Sequence, residues 1–94
     1  MKLTWGRRAR RDLNELIAYI AEDSIQTAEL VAARILKAAE LLTQMPRSGR
    51  TGRVLGTRER IVSRTPYILA YKIDSGQVRI LRVFRGARKW PATL

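Results

Sequence analysis

The chain has 94 residues, room for one domain and no second core, and it contains neither cysteine nor histidine. That excludes disulfides, thiolate metal sites and imidazole acid/base chemistry, while a hydrophobic fraction of 46% excludes a disordered chain. The net charge of +11 is unevenly placed: residues 1–45 hold seven basic and six acidic side chains, and residues 46–94 hold twelve and two. A half-domain carrying +10 points to a polyanionic partner: nucleic acid, a nucleoprotein or an acidic protein.

The opening MKLTWGRRARRDL has basic residues but no apolar segment behind them, and no later run reaches the length of a membrane span, so a cytoplasmic protein is expected. Lys2 to Trp5 reads as a single edge strand. From Arg7 to Glu22 the residues Ala9, Leu13, Leu16, Ile17 and Ile20 recur at a helical period. Asp23-Ser24 then supplies a turn and an N-cap for a second helix running to about Met45, where Pro46 ends it. Ala28, Val31, Ala32, Ile35, Ala38, Ala39 and Leu42 form one stripe on it. Leu30, Leu36 and Leu41 lie off that stripe, which predicts packing on more than one side. So short a connection makes the pair an antiparallel hairpin.

Past Pro46, RSGRTGRVLG has no apolar period and reads as a loop. Three strands follow at about Thr57–Arg64, Tyr67–Ile73 and Gln77–Arg85, with a hairpin turn at Asp74-Ser75-Gly76. In YILAYKI both faces are largely apolar, the mark of a central strand covered on both sides. The helices cover one face, so the face bearing Ile68 and Ala70 is expected to need a partner. The fold class is therefore α+β: a short strand, an antiparallel helical hairpin and a three-stranded antiparallel sheet.

Little here suggests side-chain acid/base catalysis. Asp12, Glu15, Glu22, Glu29 and Glu40 fall on the helices as solvated-face residues, and Glu59 between Arg58 and Arg60 reads as a local ion pair. GRTGR lacks the Lys-Ser/Thr of a phosphate loop. No metal ligand set and no cofactor motif is present. The arginines remain: Arg58, Arg60 and Arg64 on one strand, and Arg79, Arg82, Arg85 and Arg88 spaced by three at the end, where those within the strand must alternate between its faces. Their guanidinium forks suit phosphates and carboxylates alike and stay charged at any working pH. Trp90 beside Pro91 reads as a packing lid, with base or arginine stacking as the alternative.

In order and spacing, ARRDLNELIAYIAED, MPRSGRTGRVLGTRE, TPYILAYKI and VRILRVFRGARKWP resemble the ParE/RelE superfamily of toxins from type II toxin–antitoxin modules. The resemblance covers nearly the whole chain. It implies a cytoplasmic toxin in a hetero-oligomeric complex, silenced by an acidic, amphipathic antitoxin segment of ParD-like or RelB-like type, bound as a helix in a groove or as an added strand. RelE-like members cut messenger RNA on the ribosome, whereas ParE-like members poison DNA gyrase. This chain has Ile68 where RelE-like nucleases carry arginine, no tyrosine after Tyr71, and Arg85 where relatives often carry histidine. The ParE-like reading is therefore preferred, with target contacts at Arg82, Arg85, Arg88 and Trp90 and antitoxin contacts at Ile68, Ala70, Arg58, Arg60 and Arg64. A ribosome-dependent endoribonuclease using Arg58, Arg60, Arg82 and Arg85 is the alternative, and a plain nucleic-acid-binding domain is a third.

Overall fold

A computed structural model describes all 94 residues. Strand β1 (Lys2–Trp5) leads into helix α1 (Arg7–Ala21) and helix α2 (Ile25–Leu41); strands β2 (Arg50–Thr51), β3 (Arg58–Ile61), β4 (Tyr67–Asp74) and β5 (Gln77–Arg85) follow. Ser24 caps α2 as expected, its hydroxyl accepting from the Thr27 N–H at 3.1 Å. The Asp74–Gln77 hairpin closes through Ser75 and Gly76, both at positive φ, the two-residue turn whose twist suits antiparallel strands.

The sheet is larger than the three strands expected. Its order is β1-β5-β4-β3-β2, with β1 parallel to β5 and the other pairs antiparallel. The two-residue β2 was invisible to a period-based reading because so short a strand has no period. Likewise β3 stops at Ile61, since the turn to Tyr67 begins at Val62.

The helical hairpin covers one face of the sheet. Val31, Ile35, Ala39 and Leu42 of the α2 stripe and its extension bury against Tyr67, Leu69, Tyr71, Val78, Ile80 and Val83. Leu30, Leu36 and Leu41 correct the expectation of packing on more than one side of α2. All three are exposed, because one helix side already fills the space above the sheet.

Tyr71 ties the arginine-rich loop to the centre of the sheet. Its hydroxyl donates to the Pro46 carbonyl at 2.7 Å and accepts from the Gly49 N–H at 2.9 Å. Gly49 has to be glycine, since a Cβ there would lie 2.5 Å from that hydroxyl and 2.8 Å from the Glu59 carbonyl. Tyr71→Phe strands both backbone groups and is expected to cost about 1–3 kcal/mol, read as a lower melting temperature.

A bulge decides where the β5 arginines go. Tyr71 pairs with Ile80 and Ala70 with Arg82, so Leu81 has no partner and the alternation slips by one. Arg79 and Arg82 therefore share the face turned away from the helices, and Arg85 lies on the other. Strict alternation of these three does not hold.

Candidate functional site

The outer face of the sheet is closed by the chain itself. Its cross-strand rows are Ile61–Ile68–Phe84 and Glu59–Ala70–Arg82. After β5 the tail turns through Gly86, whose N–H donates to the Pro66 carbonyl, and brings Trp90 edge-on to Phe84 at 4.7 Å between centroids. The Arg53 guanidinium lies 4.2 Å from the Trp90 ring centroid, and those of Arg82 and Arg88 lie 4.5 and 4.6 Å from the Phe84 ring centroid. Ile68 and Ala70 are thus only 5% and 0% exposed. The expectation that they wait for a partner is corrected, because Phe84, Trp90 and the arginines supply the missing cover.

The four predicted target contacts divide. Arg82, Arg88 and Trp90 gather around Phe84, whereas Arg85 pairs with Tyr67 on the helix side and is exposed. Arg85 and Arg88 still meet at one rim. They border a cleft of about 440 Å³ between α1 and β5, lined also by Leu16, Tyr19 and Tyr67.

Arg82 is not free to leave. Its Nε and Nη2 donate to the two carboxylate oxygens of Asp12 at 2.8 and 3.0 Å, and the Val83 N–H donates to the same carboxylate at 2.9 Å. Asp12 therefore caps the edge of β5 beyond its pairing with β1 and clamps Arg82 bidentately. The hydrogen bond to Asp12 raises the Arg82 pKa above the ordinary arginine value, outweighing burial, so its charge is fixed at any working pH. Asp12 corrects the reading of that residue as a solvated acid. Its signal was in the sequence: it lies three residues after Ala9 and four before Leu16, on the buried side of α1.

Glu59 is 2% exposed and holds a different pair of arginines from its chain neighbours. It accepts from Arg50 Nε and Nη2 at 3.3 and 3.0 Å and from the Arg53 N–H at 2.7 Å, with Arg53 Nε at 3.5 Å. Arg58 and Arg60 point to the opposite face, as residues flanking Glu59 on a strand must. Arg58 donates to the Gly49 and Arg47 carbonyls at 2.9 and 3.3 Å, holding the loop rather than a ligand. Arg53 was missed because nothing in a loop sequence reports which arginine will reach back to a buried acid.

Arg60 and Arg64 instead border a groove of about 440 Å³ between α2 and β3. Its floor is Ala38, Leu41, Ile61 and Val62, and Arg34 and Lys37 line its far side. Ile61 is 54% exposed and Leu41 40%, and no carboxylate lines the groove. Arg64 occupies the left-handed region at φ 62, where an arginine is an expensive choice, and Arg34 donates to its carbonyl at 3.3 Å. The charged side chain is retained at a position where glycine would relax the turn.

The sequence model described as ParE toxin of type II toxin-antitoxin system, parDE, matches residues 3–90. The chain belongs to the ParE toxin family. Protein Y4kP of Sinorhizobium fredii, whose name carries the designation of toxin, is 42% identical to this ParE-family chain over 93 residues, covering 99% of this chain and 96% of Y4kP. Toxin RelE2 of Caulobacter vibrioides is 32% identical over 87 residues, 93% of this chain and 97% of its own. In structure, this ParE-family chain is similar to the chromosomal ParDE toxin–antitoxin system from P. aeruginosa, with a TM-score of 0.80 and 25% identity over 90% of this chain and 95% of the other. It is the toxin of a type II toxin–antitoxin system, and an antitoxin is its partner.

Proposed function

We propose that this ParE-family toxin arrests growth by binding DNA gyrase through the Arg82, Arg85, Arg88 and Trp90 end of the molecule, without cutting nucleic acid itself. The observation that carries this reading is the dispersal of the arginines a nuclease would need. Arg58 is occupied by loop carbonyls, Arg60 faces the α2 groove, Arg82 is clamped by Asp12, and Arg85 lies across the sheet. Four guanidiniums so placed cannot surround one scissile phosphate, whereas Arg85 and Arg88 side by side make a charged contact surface. The test is a supercoiling assay with toxin freed of antitoxin, purified gyrase, plasmid DNA and ATP. Lost supercoiling or trapped cleaved DNA is expected; a clean negative with cut ribosome-bound message moves the reading to the RelE-like activity.

The antitoxin is proposed to lie in the groove between α2 and β3, which joins an apolar floor to a wholly basic rim, the complement of an acidic amphipathic segment. Arg60 and Arg64 keep their assignment there, and Ile61 and Leu41 replace the enclosed Ile68 and Ala70 as apolar anchors. Ile61→Asp is expected to weaken antitoxin binding about a hundredfold, roughly the 2–3 kcal/mol of a lost anchor, in titration calorimetry. Unchanged affinity in I61D would place the antitoxin elsewhere.

A further inference from the structure

The balance of +1 over residues 1–45 conceals a second basic pole. Residues 1–11 hold five basic side chains and no acid, and all but two of the remaining basic residues of that half are absent until Arg34 and Lys37. Arg7, Arg10, Arg11 and Asn14 recur at helical spacing on one side of α1, where they line a trough of about 630 Å³ with Glu15 and no apolar residue. Arg7 and Arg10 have no carboxylate partner, and Arg11 meets Glu15 at 3.6 Å with both side chains exposed, a weak pair. Arg8, by contrast, is tied to the Leu94 carbonyl oxygen at 2.7 Å.

These charges work against the helix that carries them. The first turn of α1 has no acid and Gly6 gives it no side-chain cap, so arginines there oppose the helix dipole and repel one another at positions three and four apart. Stability does not account for them. An acidic protein partner would bring an apolar contact core, and a membrane surface would need apolar side chains on the buried face; the trough offers neither. A hydrated polyanion with regularly spaced charges fits it.

We propose that Arg7, Arg10, Arg11 and Asn14 form a phosphate-backbone contact surface for duplex nucleic acid, separate from the target end and from the antitoxin groove. The contacts come from side chains at the surface, so binding is independent of base sequence. This does not depend on which target the toxin has.

The test compares two triple variants of the full chain that lose the same charge: R7Q/R10Q/R11Q in the trough and R47Q/R79Q/K89Q away from it. Binding of a labelled random DNA duplex of about 20 base pairs is followed by anisotropy across a salt series. The trough variant is expected to lose roughly tenfold or more in affinity and to flatten the salt slope by about 3, one for each phosphate contact. The other variant is expected to lose clearly less. Removing charges that oppose the dipole leaves the melting temperature of the trough variant unchanged or higher. R7K/R10K/R11K keeps the charge and is expected to keep the binding. Equal losses in the two charge-matched variants, an unchanged salt slope in the trough variant, or loss of binding in the lysine variant would each overturn the proposal.

Discussion

Asp12→Ala lowers the stability of the toxin by about 3–5 kcal/mol, the largest effect expected of any single substitution in this chain. Asp12 and Arg82 bury most of their side chains against one another, at 14% and 16% exposure, and the carboxylate also satisfies the Val83 N–H. Removing it leaves a guanidinium and a backbone donor without partners in a confined place, which is costlier than never having had the pair. In a domain of this size the melting temperature falls by roughly 15 °C or more. Replacing both partners separates the two contributions. D12L/R82M removes the unpaired charge along with the bridge and should recover a good part of the loss. A double variant no more stable than D12A would show that the Val83 cap, and not the ion pair, carries the stabilisation.

The second large effect is on activity. Arg85→Ala with Arg88→Ala is expected to abolish growth arrest while the melting temperature stays within a few degrees of the parent. Both side chains are exposed, neither has a carboxylate partner, and the turn joining them is held by a backbone bond from the Arg88 N–H to the Arg85 carbonyl at 3.1 Å, which alanine preserves. Two charge-assisted contacts at about 1.5–3 kcal/mol each correspond to a loss of roughly two to four orders of magnitude in target affinity. Growth after induction reads the loss, and calorimetry with the antitoxin checks that the groove on the other side of the molecule still works. Undiminished arrest by the double variant would remove this end of the chain from the target interface. Arg82→Ala should not be used for the same purpose, because it breaks the clamp on Asp12 and confuses contact with stability.

Sequence patterning revealed most of the architecture where residues repeat. The α1 and α2 stripes, the Ser24 cap, the two apolar faces of β4 and the turn at Ser75-Gly76 all follow from local spacing. What patterning could not supply is contact between distant segments. The arginine that reaches Glu59, the acid that clamps Arg82, and the aromatic that covers Ile68 are set by how the loop and tail cross the sheet. The Leu81 bulge is the sharpest case: one residue without a partner reassigns every side chain after it, and no local signal marks it. Consequently the charge at the C-terminal end was legible as a quantity, while the face each arginine occupies was not.

The parallel pairing of β1 with β5 sets a time as well as a place. The first strand of the chain finds its partner only at residues 77–80, and that same partner carries Arg82 to Asp12 and Arg85 to the rim of the cleft. During synthesis, therefore, the helical hairpin is complete while the sheet still lacks the strand that joins its two ends. The surface that harms the cell assembles after the ribosome has let go of the last residues. The toxin is inert as a nascent chain, and an antitoxin waiting nearby meets it at the moment it becomes dangerous.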